Sequence, residues 1–279
     1  MKRIDRKDEV RDLVRRQRAE GRTVAFVPTM GYFHEGHLSL VDRARHLADT
    51  TVVSIYVNPL QFGPSEDFTD YPRDLERDAR LAAARGVDVL FAPDDDEMYP
   101  AGEPVVRVVP SAMADRLCGE FRPGHFVGVL TVVAKLFGSV EPDMAVFGQK
   151  DYQQAALVRR MTVDLDLPVR IEIAPIVREP DGLALSSRNT YLDDDERRRA
   201  ASLNRGLELA LATFREGERS ADTLRSVARD AMADHARIQY VELVDPDTLD
   251  PLDRARAGAV LAVAAFVGET RLIDNVILD

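Results

Sequence analysis

The chain has almost no cysteine: Cys118 is the only one in 279 residues. A disulfide within the chain is therefore impossible, and a cysteine-rich metal site is excluded. Such usage suits a reducing cytoplasm. Long apolar runs are missing as well. The longest uncharged apolar run, residues 257–268, is about a dozen residues, against the roughly 18 that a membrane span needs, and it reads as a buried strand. Residues 1–20 are densely charged with no apolar centre, so they do not read as a signal peptide. An excess of positive charge is also lacking. The net charge of −11 argues against a general nucleic-acid binder, which needs a basic surface. It leaves room for a local basic pocket around a small anion.

The common phosphate loops are absent too. No Gly-x-x-x-x-Gly-Lys-Ser/Thr occurs, which removes the P-loop NTPases, and no Gly-x-Gly-x-x-Gly follows a strand. No Gly-x-Ser-x-Gly elbow is present. What remains is an ordinary globular composition, long enough for one large domain or two modest ones.

Strand-like and helix-like runs alternate through the first two thirds. Residues 24–27, 51–57, 87–91, 144–147 and 169–174 read as strands, and residues 36–48, 75–85, 125–140 and 151–165 as helices. This alternation predicts an α/β fold, a Rossmann-like parallel sheet with helices on both faces. Ligands would bind beyond the carboxyl ends of the strands, near a switch in strand order. After about residue 176 the rhythm changes. One long helix over 193–216, opened by an acidic run suited to its positive end, and a second over 221–233 precede strand-like runs at 238–244, 259–267 and 271–278. These predict a smaller C-terminal α+β domain. The polar link at 178–182, with a proline and a glycine, reads as a boundary or hinge. The expected domains are thus 1–177, catalytic, and 178–279, a lid.

The densest chemistry is Pro28-Thr29-Met30-Gly31-Tyr32-Phe33-His34-Glu35-Gly36-His37, which runs from a strand through a glycine-broken turn into a helix. A helix start offers unpaired N–H groups and partial positive charge, which suit phosphate. Gly36 would let a phosphate approach the backbone, and His34 and His37 can donate hydrogen bonds as negative charge builds there. The spacing is one residue short of the zincin pattern His-Glu-x-x-His, a glycine lies between the histidines, and no third ligand cluster is nearby.

Other polar groups stand at the ends of strands, in a loop entering a helix and just past the hinge. Asn58-Pro59-Leu60-Gln61-Phe62 follows the second strand, and its amides could hold a hydroxy-acid; an Asn-Pro turn with solvated side chains is the plain alternative. Arg122-Pro123-Gly124-His125-Phe126 places two basic groups beside a turn. In Phe147-Gly148-Gln149-Lys150-Asp151-Tyr152-Gln153-Gln154, Lys150 can neutralise phosphate as a compact charge. Asp151 suits either a helix N-cap or a ribose hydroxyl, and Gln154 shares its face one turn on. In Leu185-Ser186-Ser187-Arg188-Asn189, two hydroxyls and a guanidinium could clamp a triphosphate.

In this order these five motifs resemble those of the pantothenate synthetases, the pantoate–β-alanine ligases of the nucleotidyltransferase superfamily that includes class I aminoacyl-tRNA synthetases. The resemblance runs over residues 28–275. It implies that pantoate, β-alanine and ATP are the substrates. Pantoate is activated as an adenylate with release of pyrophosphate, and β-alanine then displaces AMP. It implies catalytic roles for His34, His37, Lys150, Ser186, Ser187 and Arg188, and ATP contacts from these together with Met30, Gly31, Gly148, Asp151, Val177 and Leu185. Pantoate would be held by Gln61, Gln154 and Asn58. Mg²⁺ is expected as cofactor; no protein metal cage is legible, so substrate and water would hold it. A homodimer is also implied. The chain departs from its relatives at Tyr32-Phe33, where Ala-Leu is frequent, at Leu185 for Met and at Gln149 for Glu. The first two changes are expected to reshape the pocket wall, the third to have little effect. Two other readings stay open at this level: a nucleotidyltransferase of the same fold that stops after nucleotide transfer, such as a cytidylyltransferase, and a nucleotide-sensing module without catalysis.

Overall fold

The computed structural model describes residues 1–64 and 66–279. The strands are β1 (Lys2–Ile4), β2 (Val24–Thr29), β3 (Thr50–Ile55), β4 (Val89–Phe91), β5 (Met144–Gly148), β6 (Arg170–Ala174), β7 (Arg237–Val244), β8 (Val260–Val267) and β9 (Thr270–Ile277). The helices are α1 (Lys7–Ala19), α2 (Glu35–Leu47), α3 (Leu75–Ala84), α4 (Asp95–Met98), α5 (Cys118–Phe121), α6 (His125–Val140), α7 (Tyr152–Asp164), α8 (Asp194–Ala200), α9 (Ser202–Arg215) and α10 (Ala221–Met232). The chain forms two compact units. One comprises Met1–Ser111, Phe121–Gly148 and Leu157–Ala174; the other comprises Ala112–Glu120, Gln149–Ala156 and Pro175–Asp279.

The first unit is built on a six-stranded sheet ordered β1-β4-β3-β2-β5-β6. Every pair in it is parallel. Alternate residues of its β-branched strands point to opposite faces. Ala25, Val27, Val53 and Val146 meet Leu38, Val41 and Ala44 of α2 and Ala82 of α3. On the other face Phe26 meets Phe137 of α6 edge-on, ring centroids 6.4 Å apart. α6 is apolar nearly all round, and most of its residues are buried, as such a helix must be. The α/β reading with helices on both faces thus holds. The order of strands reverses between β2 and β5, the kind of point outside which ligands bind. Four elements carry no signal in the sequence reading: α1, β1 and the one-turn helices α4 and α5. α1 was hidden because its charged face dominates residues 1–20, leaving only Val10 and Val14 buried. β1, three residues long, is an edge strand paired with β4.

In the second unit, an antiparallel sheet β7-β8-β9 packs against α9 and α10. Leu203, Leu207 and Leu211 recur every four residues along α9 and share a core with Leu224, Ala228 and Met232 of α10 and with Leu261, Val263 and Ala265 of β8. The apolar run read as a buried strand is β8. The single long helix expected over 193–216 is two, α8 and α9. At Ala201 the N–H turns to the carbonyl of Arg199, although its backbone angles stay helical. No proline or glycine marks that break.

The polar 178–182 stretch, read as a boundary or hinge, is a hairpin held by hydrogen bonds. Glu179 and Leu183 pair through their backbones. The Arg178 guanidinium grips the buried Asp274 carboxylate at 2.6 and 3.0 Å, and the Asn275 N–H donates to the same group at 2.7 Å. Burial pushes the Asp274 carboxyl above its usual range, with Arg178 pulling against it. Arg178→Met would strand this charge and should cost about 3–5 kcal/mol of stability. A carboxyl whose folded-state pKa lies above its unfolded one stabilises fully only when protonated, and that contribution is lost as pH rises through the folded value. Urea unfolding of Arg178→Met should therefore show a deficit that is large at pH 8 and shrinks as pH is lowered toward the carboxyl range. A pH-independent deficit would remove Asp274 as its source.

Candidate active site

The histidine turn leaves the carboxyl end of β2. Gly31 has φ +86°, and a Cβ there would lie 2.9 Å from Ile55 Cγ2 and 3.0 Å from Asp78 Oδ2, so only glycine fits. Tyr32 also has a positive φ. What holds this strained turn is Asp78, an almost fully buried residue of α3. Its carboxylate accepts from the Tyr32 N–H at 2.5 Å and the Phe33 N–H at 2.7 Å. Burial raises the Asp78 carboxyl above its usual range against the pull of those N–H groups. Arg77 donates to the Phe33 carbonyl at 2.9 Å and stacks its guanidinium over the Tyr32 ring. Phe33 is buried in the core against α2 and α3. Its ring lies 5.6 Å from that of His37, so it backs the histidine turn from the core side.

His34 is the N-cap of α2. Its Nδ1 accepts from the Gly36 N–H at 3.1 Å, while the His37 N–H donates to the His34 carbonyl at 2.9 Å. Two of the N–H groups expected to face a phosphate are thus already bonded, because the histidine folds back to cap its own helix. The same bond fixes the chemistry of the ring. Nδ1 is the acceptor, so the neutral imidazole carries its proton on Nε2, the atom that can donate outward. The His34 and His37 rings lie 4.1 Å apart at 38°, which keeps both on one side of the helix start.

Beyond β3, Pro59–Gln61 form a short 3-10 turn capped by Asn58. Asn58 is fully buried. Its Nδ2 donates to Gln61 Oε1 at 3.2 Å and to the Gly128 carbonyl at 3.1 Å. Its Oδ1 accepts from Tyr99 Oη at 2.8 Å and the Leu60 N–H at 3.4 Å. Expected as a direct pantoate contact, Asn58 has its hydrogen-bonding positions filled by protein groups, and its geometry bears on Gln61 instead. Gln61 Nε2 points at Met30 Sδ, 3.0 Å away. α6 packs tightly on this turn: a Cβ at Gly128 would fall 2.1 Å from the Leu60 carbonyl oxygen.

Arg122 and His125 also support Gln61. Arg122 makes a two-pronged pair with Glu66, both contacts at 2.6 Å. Burial alone would raise the Glu66 carboxyl, but the guanidinium outweighs it and holds the group below its usual range. His125 Nδ1 lies 2.8 Å from the Gln61 carbonyl, which can only accept, so Nδ1 carries the proton and Nε2 receives one from Arg122 at 3.1 Å.

Gly148 apart, the other expected site residues lie in the second unit. Lys150 and Asp151 follow β5 in a 3-10 turn, Gln149–Asp151. Lys150 Nζ lies 3.7 Å from Asp151 Oδ2. Asn275 of β9 grips the turn's backbone. Its Nδ2 donates to the carbonyls of Gln149 and Lys150 at 3.0 and 3.1 Å, and its Oδ1 accepts from Gln149 Nε2 at 3.2 Å. Gln149 thus has a packing partner that the sequence reading did not give it. Gln153 is occupied structurally, donating to the carbonyls of Met113 and Arg116; Gln154 is half-buried on α7. Val177 and Leu185, both expected at ATP, are joined by the Leu185 N–H to Val177 carbonyl bond at 3.0 Å. Ser186 caps the 3-10 turn Ser187–Tyr191, its hydroxyl accepting from the Arg188 N–H at 3.3 Å.

The family model for pantoate–β-alanine ligase matches residues 2–277. The chain belongs to the pantoate–β-alanine ligase family. Pantothenate synthetase 1 of Bradyrhizobium diazoefficiens is 54% identical over 280 residues, covering 100% of this chain and 99% of that protein. The pantothenate synthetase of Pelotomaculum thermopropionicum is 54% identical over 272 residues, 97% of this chain and 96% of that one. Among solved structures, pantothenate synthetase from Thermus thermophilus matches with a TM-score of 0.94 at 46% identity over 100% of this chain and 99% of its own. The pantoate–β-alanine ligase from Francisella tularensis, complexed with beta-gamma ATP and β-alanine, matches with a TM-score of 0.82 at 32% identity over 99% and 97%. As a pantoate–β-alanine ligase the chain carries all five sequence motifs within the matched span. Among the residues that build the site and were not foreseen are Asp78, Arg77, Glu66, Tyr99 and Asn275. Of these, Asp78 left a signal, an acid on the apolar stripe formed by Leu75, Ala79 and Ala82.

Proposed function

We propose that this ligase condenses pantoate with β-alanine, using ATP. A carboxylate is a poor electrophile, so it must first be activated. A pantoate carboxylate oxygen attacks the α-phosphorus of ATP, pyrophosphate leaves, and pantoyl adenylate forms. The β-alanine amine then attacks the acyl carbon, loses a proton and expels AMP, giving pantothenate. The observation that carries this reading is the family match across residues 2–277. The Francisella relative's complex with an ATP analogue and β-alanine supports the same two substrates here.

In this reading His34, through Nε2–H, and His37 donate to the phosphate as charge builds in the first step, with Lys150 as the compact cation. Ser186, Ser187 and Arg188 hold the leaving pyrophosphate. Met30, Gly31, Gly148, Asp151, Val177 and Leu185 complete the nucleotide contacts. Gln61 and Gln154 hold pantoate, and Asn58 acts through Gln61. Among the described residues no group of three or more His, Cys, Asp or Glu could hold a metal ion, so Mg²⁺ would arrive on the ATP phosphates and stay held by them and water. The lid role of residues 178–279 would shield the anhydride from water; structures with and without ATP test it.

We further propose a homodimer. Val105, Val106 and Val109 are 99%, 85% and 73% exposed, an apolar strip of the kind that marks an interface. Sedimentation equilibrium should give twice the 31.1 kDa chain mass. Among the described residues no helix is long and apolar enough to cross a membrane. An ATP-using enzyme with one cysteine suits the cytoplasm. The decisive experiment supplies ATP, Mg²⁺, pantoate and β-alanine and follows products by mass spectrometry. Pantothenate and AMP should appear together, and omitting β-alanine should leave pantoyl adenylate. Absence of both acyl-AMP and pantothenate would overturn the reading. Nucleotide transfer with no amide would mark a cytidylyltransferase-like enzyme.

A further inference from the structure

Tyr99 was assigned no role by any motif, yet its hydroxyl ends a chain of hydrogen bonds that terminates at Gln61. We infer that Tyr99 is a positioning residue for pantoate selection: through Asn58 it fixes the amide of Gln61 so that Gln61 offers a ligand N–H donors and no acceptor. The inference rests on the reading of Gln61 as a pantoate contact.

Amides have two faces of opposite polarity, and neighbours decide which way each points. For Asn58 the neighbours leave one solution. The Gly128 carbonyl can only accept, so the atom 3.1 Å from it is Nδ2. The Leu60 N–H can only donate, so the atom facing it is Oδ1. The Tyr99 hydroxyl donates to that oxygen at 2.8 Å, a shorter bond than the 3.2 Å one from Asn58 to Gln61. Burial raises the Tyr99 phenol well above its usual range, so it stays a donor. With Asn58 locked, its second Nδ2 hydrogen meets Gln61 Oε1 at 3.2 Å. That bond turns Gln61 Nε2 toward Met30, whose thioether at 3.0 Å is a weak acceptor that a carboxylate or hydroxyl oxygen would outcompete. The Tyr99 ring is itself held. It lies 6.2 Å from the Tyr56 ring, with Lys135 Nζ 5.3 Å from its centroid, and Tyr56 in turn donates to Asp95 at 2.8 Å.

Two variants read this chain, with Gln61→Ala as the control. Tyr99→Phe removes only the hydroxyl and keeps the ring. It should raise the KM for pantoate about 5- to 10-fold, the worth of one buried hydrogen bond, with the KM for ATP nearly unmoved and the thermal midpoint lowered by a few degrees at most, about the same loss seen as stability. Gln61→Glu keeps an oxygen for Asn58 but puts a second oxygen where Nε2 stood, and that oxygen donates only when protonated. Its kcat/KM for pantoate, taken as a ratio to the parent enzyme, should climb as pH falls from 8 to 6. If Tyr99→Phe leaves the pantoate KM within twofold, or raises both KM values equally, the relay is refuted. A Gln61→Glu ratio flat with pH refutes the donor-only polarity. Should Gln61→Ala itself leave the pantoate KM unchanged, the pantoate reading of Gln61 and the relay fall together; a large Gln61→Ala effect beside a silent Tyr99→Phe sinks the relay alone.

Discussion

Replacing His34 by alanine is expected to lower ATP-dependent pyrophosphate release by about 100- to 1,000-fold, the range seen when one preorganised donor to a developing oxyanion is removed. The variant also loses something structural. His34 Nδ1 caps the first turn of α2 by accepting from the Gly36 N–H, and removing a cap costs about 0.5–2 kcal/mol. The two losses can be separated. Asparagine caps helices well but does not place a donor at the reach of an imidazole Nε2. His34→Asn should therefore recover the thermal stability of the parent while staying as inactive as His34→Ala. If His34→Asn recovers both, the residue is a cap and nothing more, and the phosphate-stabilising role passes to His37 and Lys150. Near-parental pyrophosphate release in His34→Ala would dismiss it altogether.

The double duty of His34 shows where reading by sequence runs out. The alternation of strands and helices was visible because apolar periodicity is local, and helix α6 was bounded at both ends correctly. Three of the five motifs were visible because they stand at the ends of β2, β3 and β5, where the apolar pattern breaks, and the other two because they open a helix or a 3-10 turn. Their supports were not. Asp78 lies 45 residues from the Phe33 N–H it holds, and Asn275 lies 125 residues from the Lys150 carbonyl it grips; no spacing rule joins such pairs. The same blindness explains Asn58. An amide at a strand end looks the same in sequence whether it faces a ligand or a Tyr99 hydroxyl 41 residues away. It also explains the 178–182 stretch, whose polarity gives no sign that Arg178 is paired with the buried Asp274, 96 residues away. Nor can chain order reveal that Gln149–Ala156 packs with the second unit, since they continue directly from β5.

Lys150→Ala should reduce the rate of adenylate formation by about 100-fold or more without unfolding the protein. The side chain makes a loose ion pair, 3.7 Å to the half-exposed Asp151, and although its charge also reaches the buried Asp274, that carboxylate keeps its two contacts with Arg178 when Lys150 is removed. Its value lies in where the charge is placed. Negative charge on the nonbridging and leaving oxygens grows as pyrophosphate departs, and a fixed ammonium stabilises that state more than bound ATP. The loss should therefore appear in kcat, with the KM for ATP rising less. Arginine should rescue poorly, because its planar fork does not occupy the position of a compact point charge. Placement also depends on the backbone. Asn275→Ala, which releases the Gln149 and Lys150 carbonyls, should lower the same rate by a smaller factor, about 10-fold, and add little to Lys150→Ala in the double variant. Two residues that act through one charge cannot lose it twice. Full additivity of the two losses would mean that Asn275 serves the fold of β9 and not the position of Lys150.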